Sequence, residues 1–118
     1  MSKTRVVRKN LSYAVDNSLS VELVVTVGDT QAGGGSTMWD KSHAVVIPGE
    51  PVTIAGNGPL KGTEIRLVMS VKDVATAHDH TSITVSLAGG ISPTSTTYQA
   101  DASEPGGEVV YIIAISLV

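Results

Sequence analysis

The sequence predicts an all-β protein. Residues 1–118 form one domain, an antiparallel β-sandwich of about seven or eight strands in a jelly-roll or immunoglobulin-like arrangement, with a closed barrel as the alternative. Three observations carry this expectation. Segments 20–27, 64–71 and 81–87 alternate apolar and polar residues with a period of two, as a strand with one buried face does. Turn formers recur between such segments, and no stretch sustains a 3.6-residue apolar period. The third is the C-terminal run Glu108–Val118, rich in Val and Ile and free of charge, Gly and Pro from Val109 onward. β-Branched and aromatic residues suit the pleated surface of a strand and lose rotamer freedom in a helix. Val109, Tyr111, Ile113, Ile115 and Leu117 make one face, and Val110, Ile112, Ala114 and Val118 the other. A strand apolar on both faces needs cover on both, from a second sheet or another subunit.

Taken in order, Thr4 to Val15 reads as one or two strands, closed by an Asp16-Asn-Ser18 turn whose side chains bond their own backbone. Ser20 to Val27 points Val21, Leu23, Val25 and Val27 inward. Residues 29–42 contain Gly33-Gly-Gly35 and read as a flexible loop, since glycine loses the most backbone entropy in a regular element. Ala44 to Ile47 and Val52 to Ala55 are short strands around Pro48 and Pro51, which suit an edge or a change of sheet. Residues 56–62 form a compound turn. Glu64 to Val71 turns Ile65, Leu67, Met69 and Val71 inward, while Val68 interrupts its polar face and implies partial cover there. Lys72 to His80 connects to a strand at Thr81 to Leu87. Thr94 to Ala100 is a Thr-rich edge strand, and a polar turn leads into the last strand.

The chain has no Cys, which excludes disulfides and thiolate metal sites, and no Phe, which leaves an aliphatic core. A net charge of −3 gives no electrostatic footprint for nucleic acid or anionic lipid. Lys3, Arg5, Arg8 and Lys9 are half of all basic residues, yet no apolar core of a signal peptide follows them, so a cytoplasmic location is expected. The plain account of the cluster is a first strand with its charges outward.

Few residues have the makings of a reactive site. His78 and His80 would share one side of an extended segment and could ligate one metal, with Asp73, Asp79 or His43 as a further ligand. The bland alternative is a polar loop. Asp16, Asp29, Asp73, Asp79 and Asp101 fall at strand ends, where calcium could gather two or three of them, though Asp is an ordinary turn residue. Asp40, Ser42 and His43 are triad residue types whose side chains diverge along one strand. Residues 56–63 resemble a phosphate cradle but lack its order and the helix that completes it. Trp39 stands near the glycine run with Met38, Asp40 and His43. These four would line a binding loop, or Trp39 would fold back to cap the core.

Too few titratable groups converge to favour catalysis, and no cofactor is implied. The leading expectation is a non-enzymatic protein that binds or assembles. It would self-associate as a homo-oligomer through Val109, Tyr111, Ile113 and Ile115 of the last strand, with a protein or carbohydrate as a possible partner. The alternative is a small module binding carbohydrate or a metal ion at loops around Trp39 and His78/His80. A metal-dependent enzyme on a cupin-like barrel ranks third.

Overall fold

The computed structural model describes residues 4–28, 31–73, 80–102 and 107–118. Among them are nine strands and no helix: β1 (Thr4–Tyr13), β2 (Ser20–Val27), β3 (Gln31–Trp39), β4 (Ser42–Val46), β5 (Val52–Ala55), β6 (Glu64–Asp73), β7 (His80–Ala88), β8 (Thr94–Asp101) and β9 (Glu108–Leu117). They form two open sheets, one of five strands in the order β1-β9-β6-β3-β4 and one of four in the order β5-β2-β7-β8. The sheets do not close into a barrel, so that alternative falls. Pairing is antiparallel except between β1 and β9, which run parallel with Thr4 opposite Glu108 and Tyr13 opposite Leu117.

The alternation read from the sequence sets the inward faces. Ile65, Leu67, Met69 and Val71 of β6 are fully buried, as are Val109, Tyr111, Ile113, Ile115 and Leu117 of β9. They join Leu23 and Val25 of β2 and Val85 and Leu87 of β7 in a single apolar cluster. Tyr111 brings a hydroxyl into this core, where it hydrogen-bonds Thr81 Oγ1 at 2.8 Å, and Thr81 donates in turn to the Ala100 carbonyl at 2.6 Å. A buried polar atom without such a partner would cost about 1–3 kcal/mol. Burial raises the Tyr111 pKa above its ordinary value, against the lowering effect of the Thr81 bond.

The clearest departure from the sequence reading lies in residues 29–42. Gln31–Trp39 is no loop but a full strand between β6 and β4, with Gly33 opposite Val71 and Gly35 opposite Met69. Gly33 and Gly35 are there because the β6 backbone is too close for side chains. A Cβ on Gly33 would stand 2.6 Å from the Ser70 carbonyl oxygen, and one on Gly35 would overlap the Val68 carbonyl. Close approach, rather than mobility, explains these two glycines. The β3–β4 hairpin then turns at Asp40, whose φ of 54° a short polar side chain tolerates.

The sheet edges are β1 and β4 in one sheet and β5 and β8 in the other. The Thr-rich β8 holds the edge position expected of it. On β1, exposed Arg5, Arg8 and Lys9 discourage pairing with a further strand.

Candidate functional site: the outer face of the five-stranded sheet

The two alternating sets of β9 have different fates. Val109, Tyr111, Ile113 and Ile115, expected at an oligomer interface, are 0% exposed within the single chain. They pack into the protomer's own core and are not available to a partner. It is the other set, Val110, Ile112, Ala114 and Ser116, that faces outward and is half-buried.

Register extends that set across the sheet. One row runs Arg8, Ile112, Val68, Ser36 and Val45 from β1 to β4, and the next runs Asn10, Ala114, Arg66, Met38 and His43. On the other side of the first row, Val6 lies beside Val110, which pairs with Ser70 and through it with Gly34. The centre of the face is therefore apolar, and several of its large side chains stay open: Val6 50%, Met38 38% and Val45 74% exposed. Ile47, just beyond β4, is 51% exposed. Charges sit around this centre. Glu64, Arg66 and Lys72 project from β6, and Arg66 lies 3.9 Å from Glu64. Over Val68, Ile112 and Ala114 the surface dips into a hollow of about 360 Å³, walled by Arg8, Lys9, Asn10 and Arg66. Sequence reading noted that Val68 broke a polar face. It had no means of pairing Val68 with Ile112, because that pairing joins residues far apart in the chain.

The group around Trp39 divides. Trp39 and His43 line a cleft of about 210 Å³ with Thr37, Ser42, Thr53 and Ile54, between the β4 and β5 edges. Met38 and Asp40 lie instead in a shallow depression with Glu64 and Arg66. Neighbours on a strand point to opposite faces, which is why Met38 and Trp39 part company. The indole is half-buried and held: Nε1 donates to Thr63 Oγ1 at 3.0 Å, and Thr63 donates to the Leu60 carbonyl at 2.6 Å. The ring also occupies the space beside Gly56, where a Cβ would come within 2.6 Å of it. Trp39 thus caps one end of the core.

Of the metal candidates, His78 and Asp79 lie outside the described residues, as does the side chain of Asp73 at the end of β6. His80 Nδ1 sits 3.0 Å from Asp101 Oδ1 across the β7–β8 ladder, with both side chains largely exposed. Arg5 donates to the Asp101 carbonyl at 2.9 Å. Among the described residues no group of three or more His, Cys, Asp or Glu is placed to hold a metal ion. Residues 56–63 do not form a phosphate cradle. The amides of Leu60, Gly62 and Thr63 are spent on the carbonyls of Ser18, Leu117 and Leu60, which ties this turn to the rest of the fold.

No helix among the described residues is long and apolar enough to cross a membrane. Comparison with known proteins returns no match, whether to a family model, to a curated protein or to a solved structure.

Proposed function

We propose that the two sheets pack face to face as a β-sandwich, and that the protein is a non-enzymatic assembly protein whose copies associate through the outer face of the five-stranded sheet. The observation that carries this reading is the uncovered second face of β9. Val110, Ile112 and Ala114 continue into Val68, Val6, Met38 and Val45, and no other part of the described chain lies over them. A monomer that leaves such a surface in water forgoes its transfer free energy, about 25 cal/mol per Å² of apolar area.

The occupant that fits is a second copy, because the centre of the face complements itself and only Arg8, at the edge, meets its own charge. Consider a two-fold axis running across the strands through Val68. Lys72 and Glu64 lie equidistant from Val68 on the same side of β6, so each Lys72 meets the partner copy's glutamate at that position. In the β3 column, which shares this row through Ser36, Met38 falls opposite Gly34, a protrusion against a flat spot. In the β9 column Val110 falls opposite Ala114. Four strands of about 30 Å and the shorter β4 of about 17 Å, at about 4.8 Å spacing, present roughly 650 Å². A standard interface buries about 800 Å² per partner.

Sedimentation equilibrium tests this with the wild type, Val68→Asp, Lys72→Glu, Glu64→Lys and the double reversal. The wild type should associate. Val68→Asp should be folded and monomeric, each single reversal should weaken association, and the double reversal should recover it. A wild type that stays monomeric at every concentration refutes assembly, and an oligomer indifferent to Val68→Asp refutes this face.

A further inference from the structure

We propose that the hollow over β9 binds an amphipathic anion, an oxyanion head of carboxylate or phosphate-monoester type carried on a short alkyl or aromatic body. Its floor is apolar, formed by Val68, Ile112 and Ala114, and its walls carry Arg8, Lys9 and Arg66. A volume of about 360 Å³ lies within the range of sites for small molecules, about 300–1,000 Å³.

Charge makes the hollow unusual on this protein. The chain has 11 acidic and 8 basic residues, yet Arg8 and Arg66 both project on this face and, among the described residues, no carboxylate lines the hollow. The contact of Arg66 with Glu64, at 3.9 Å, is too long for a hydrogen bond, and the Arg66 side chain is 60% exposed. β9 runs between β1 and β6. Arg8 stands level with Ile112, and Arg66 stands level with Ala114, one step further along. The two guanidinium-bearing residues therefore flank β9 diagonally, with Cα atoms roughly 12 Å apart. An oxyanion above β9 can take N–H donors from either side, in the planar geometry that suits carboxylate and phosphate. Its apolar body then lies along Ile112 and Val68. A bare anion would leave that floor wet, and an uncharged apolar molecule would leave the arginines unused.

The binding does not rest on self-association. It does bear on it, because ligand and second copy need the same floor and exclude one another. The test is an NMR titration of the wild type, the Arg8→Ala/Arg66→Ala double variant and Val45→Asp, which lies on the same face outside the hollow. The probes are octanoate, octyl phosphate, inorganic phosphate and octanol. Octanoate or octyl phosphate should shift the amides of Arg8, Val68 and Ile112 saturably, and their relative affinities identify the preferred head. The double variant should bind at least about tenfold more weakly, as should the wild type with inorganic phosphate or octanol, since two charge-assisted bonds are lost or the floor is unfilled. Inorganic phosphate binding as well as octanoate would reduce the site to a basic rim. Octanol binding equally well would reduce it to an apolar patch, and an unaffected double variant would remove the arginines from it. Each of these overturns the proposal. Val45→Asp, which should free the face from a second copy, separates the two readings: octanoate binding by this variant supports the site whatever the oligomeric state of the wild type, and a monomeric Val45→Asp that binds no octanoate overturns the site alone.

Discussion

Alanine at Gly35 is the sharpest probe of how the glycine run is built. Its added Cβ would overlap the Val68 carbonyl oxygen and lie 2.8 Å from the carbonyl carbon and 2.9 Å from Met69 Sδ. The obstacle is mostly backbone, so it cannot be relieved by a rotamer change, and β3 has to move away from β6. Overpacking commonly costs about 1–3 kcal/mol, and a backbone obstacle puts this variant at the upper end, about 3 kcal/mol. Gly34 is the internal control. A Cβ there meets the Val46 carbonyl oxygen at 3.6 Å, an ordinary contact. Gly34→Ala should be neutral or stabilise by about 0.5 kcal/mol, through the entropy it removes from the unfolded chain. Urea unfolding measures both. With an m-value of about 1.5 kcal/mol/M, Gly35→Ala should lower the midpoint by about 2 M while Gly34→Ala leaves it nearly unmoved. If both variants raise the midpoint alike, the segment behaves as open chain and its pairing with β6 is wrong.

Other expectations can be checked alongside. Ile113→Asp buries a carboxylate in the core and should unfold the protein, a loss of at least about 4 kcal/mol, whereas Ile112→Asp should keep its far-UV circular dichroism and lose self-association together with octanoate binding. Trp39→Phe removes the indole donor to Thr63 and should cost about 1 kcal/mol in urea unfolding, while Gly56→Ala should displace the ring and shift its fluorescence. Tyr111 keeps its proton in the fold at a pH where the unfolded chain gives it up, so stability should be complete below about pH 10 and fall as the pH rises above it. Tyr111→Phe should flatten that decline, at a cost of about 1 kcal/mol at neutral pH for the lost Thr81 bond, read from unfolding at pH 7 and above pH 10.

The candidate site was only half legible in the sequence. The two apolar faces of β9 were plain, but which one the core would claim was not. Both sets are almost wholly aliphatic, and a strand's own residues do not reveal which side the core occupies. The choice fell to Val109, Tyr111, Ile113, Ile115 and Leu117, leaving Val110, Ile112 and Ala114 outward. Arg8 and Arg66 looked like solvated charges on separate strands until β9 came to lie between β1 and β6. Trp39 was singled out with its chain neighbours, but alternation sent Met38 to the outer face and the indole to the end of the core.

By itself the sequence determined the all-β class, the bounds of β2 and β5, and the inward residues of β2, β6 and β7. These follow from a two-residue period and from turn chemistry, both written locally. Tertiary structure alone decided the parallel partnership of β1 with β9, the strand formed by Gly33–Gly35 and the apolar row through Ile112 and Val68. Those depend on which backbone lies beside which. Partners distant in the chain are selected by the packing of the whole core, and a local pattern is compatible with many of them.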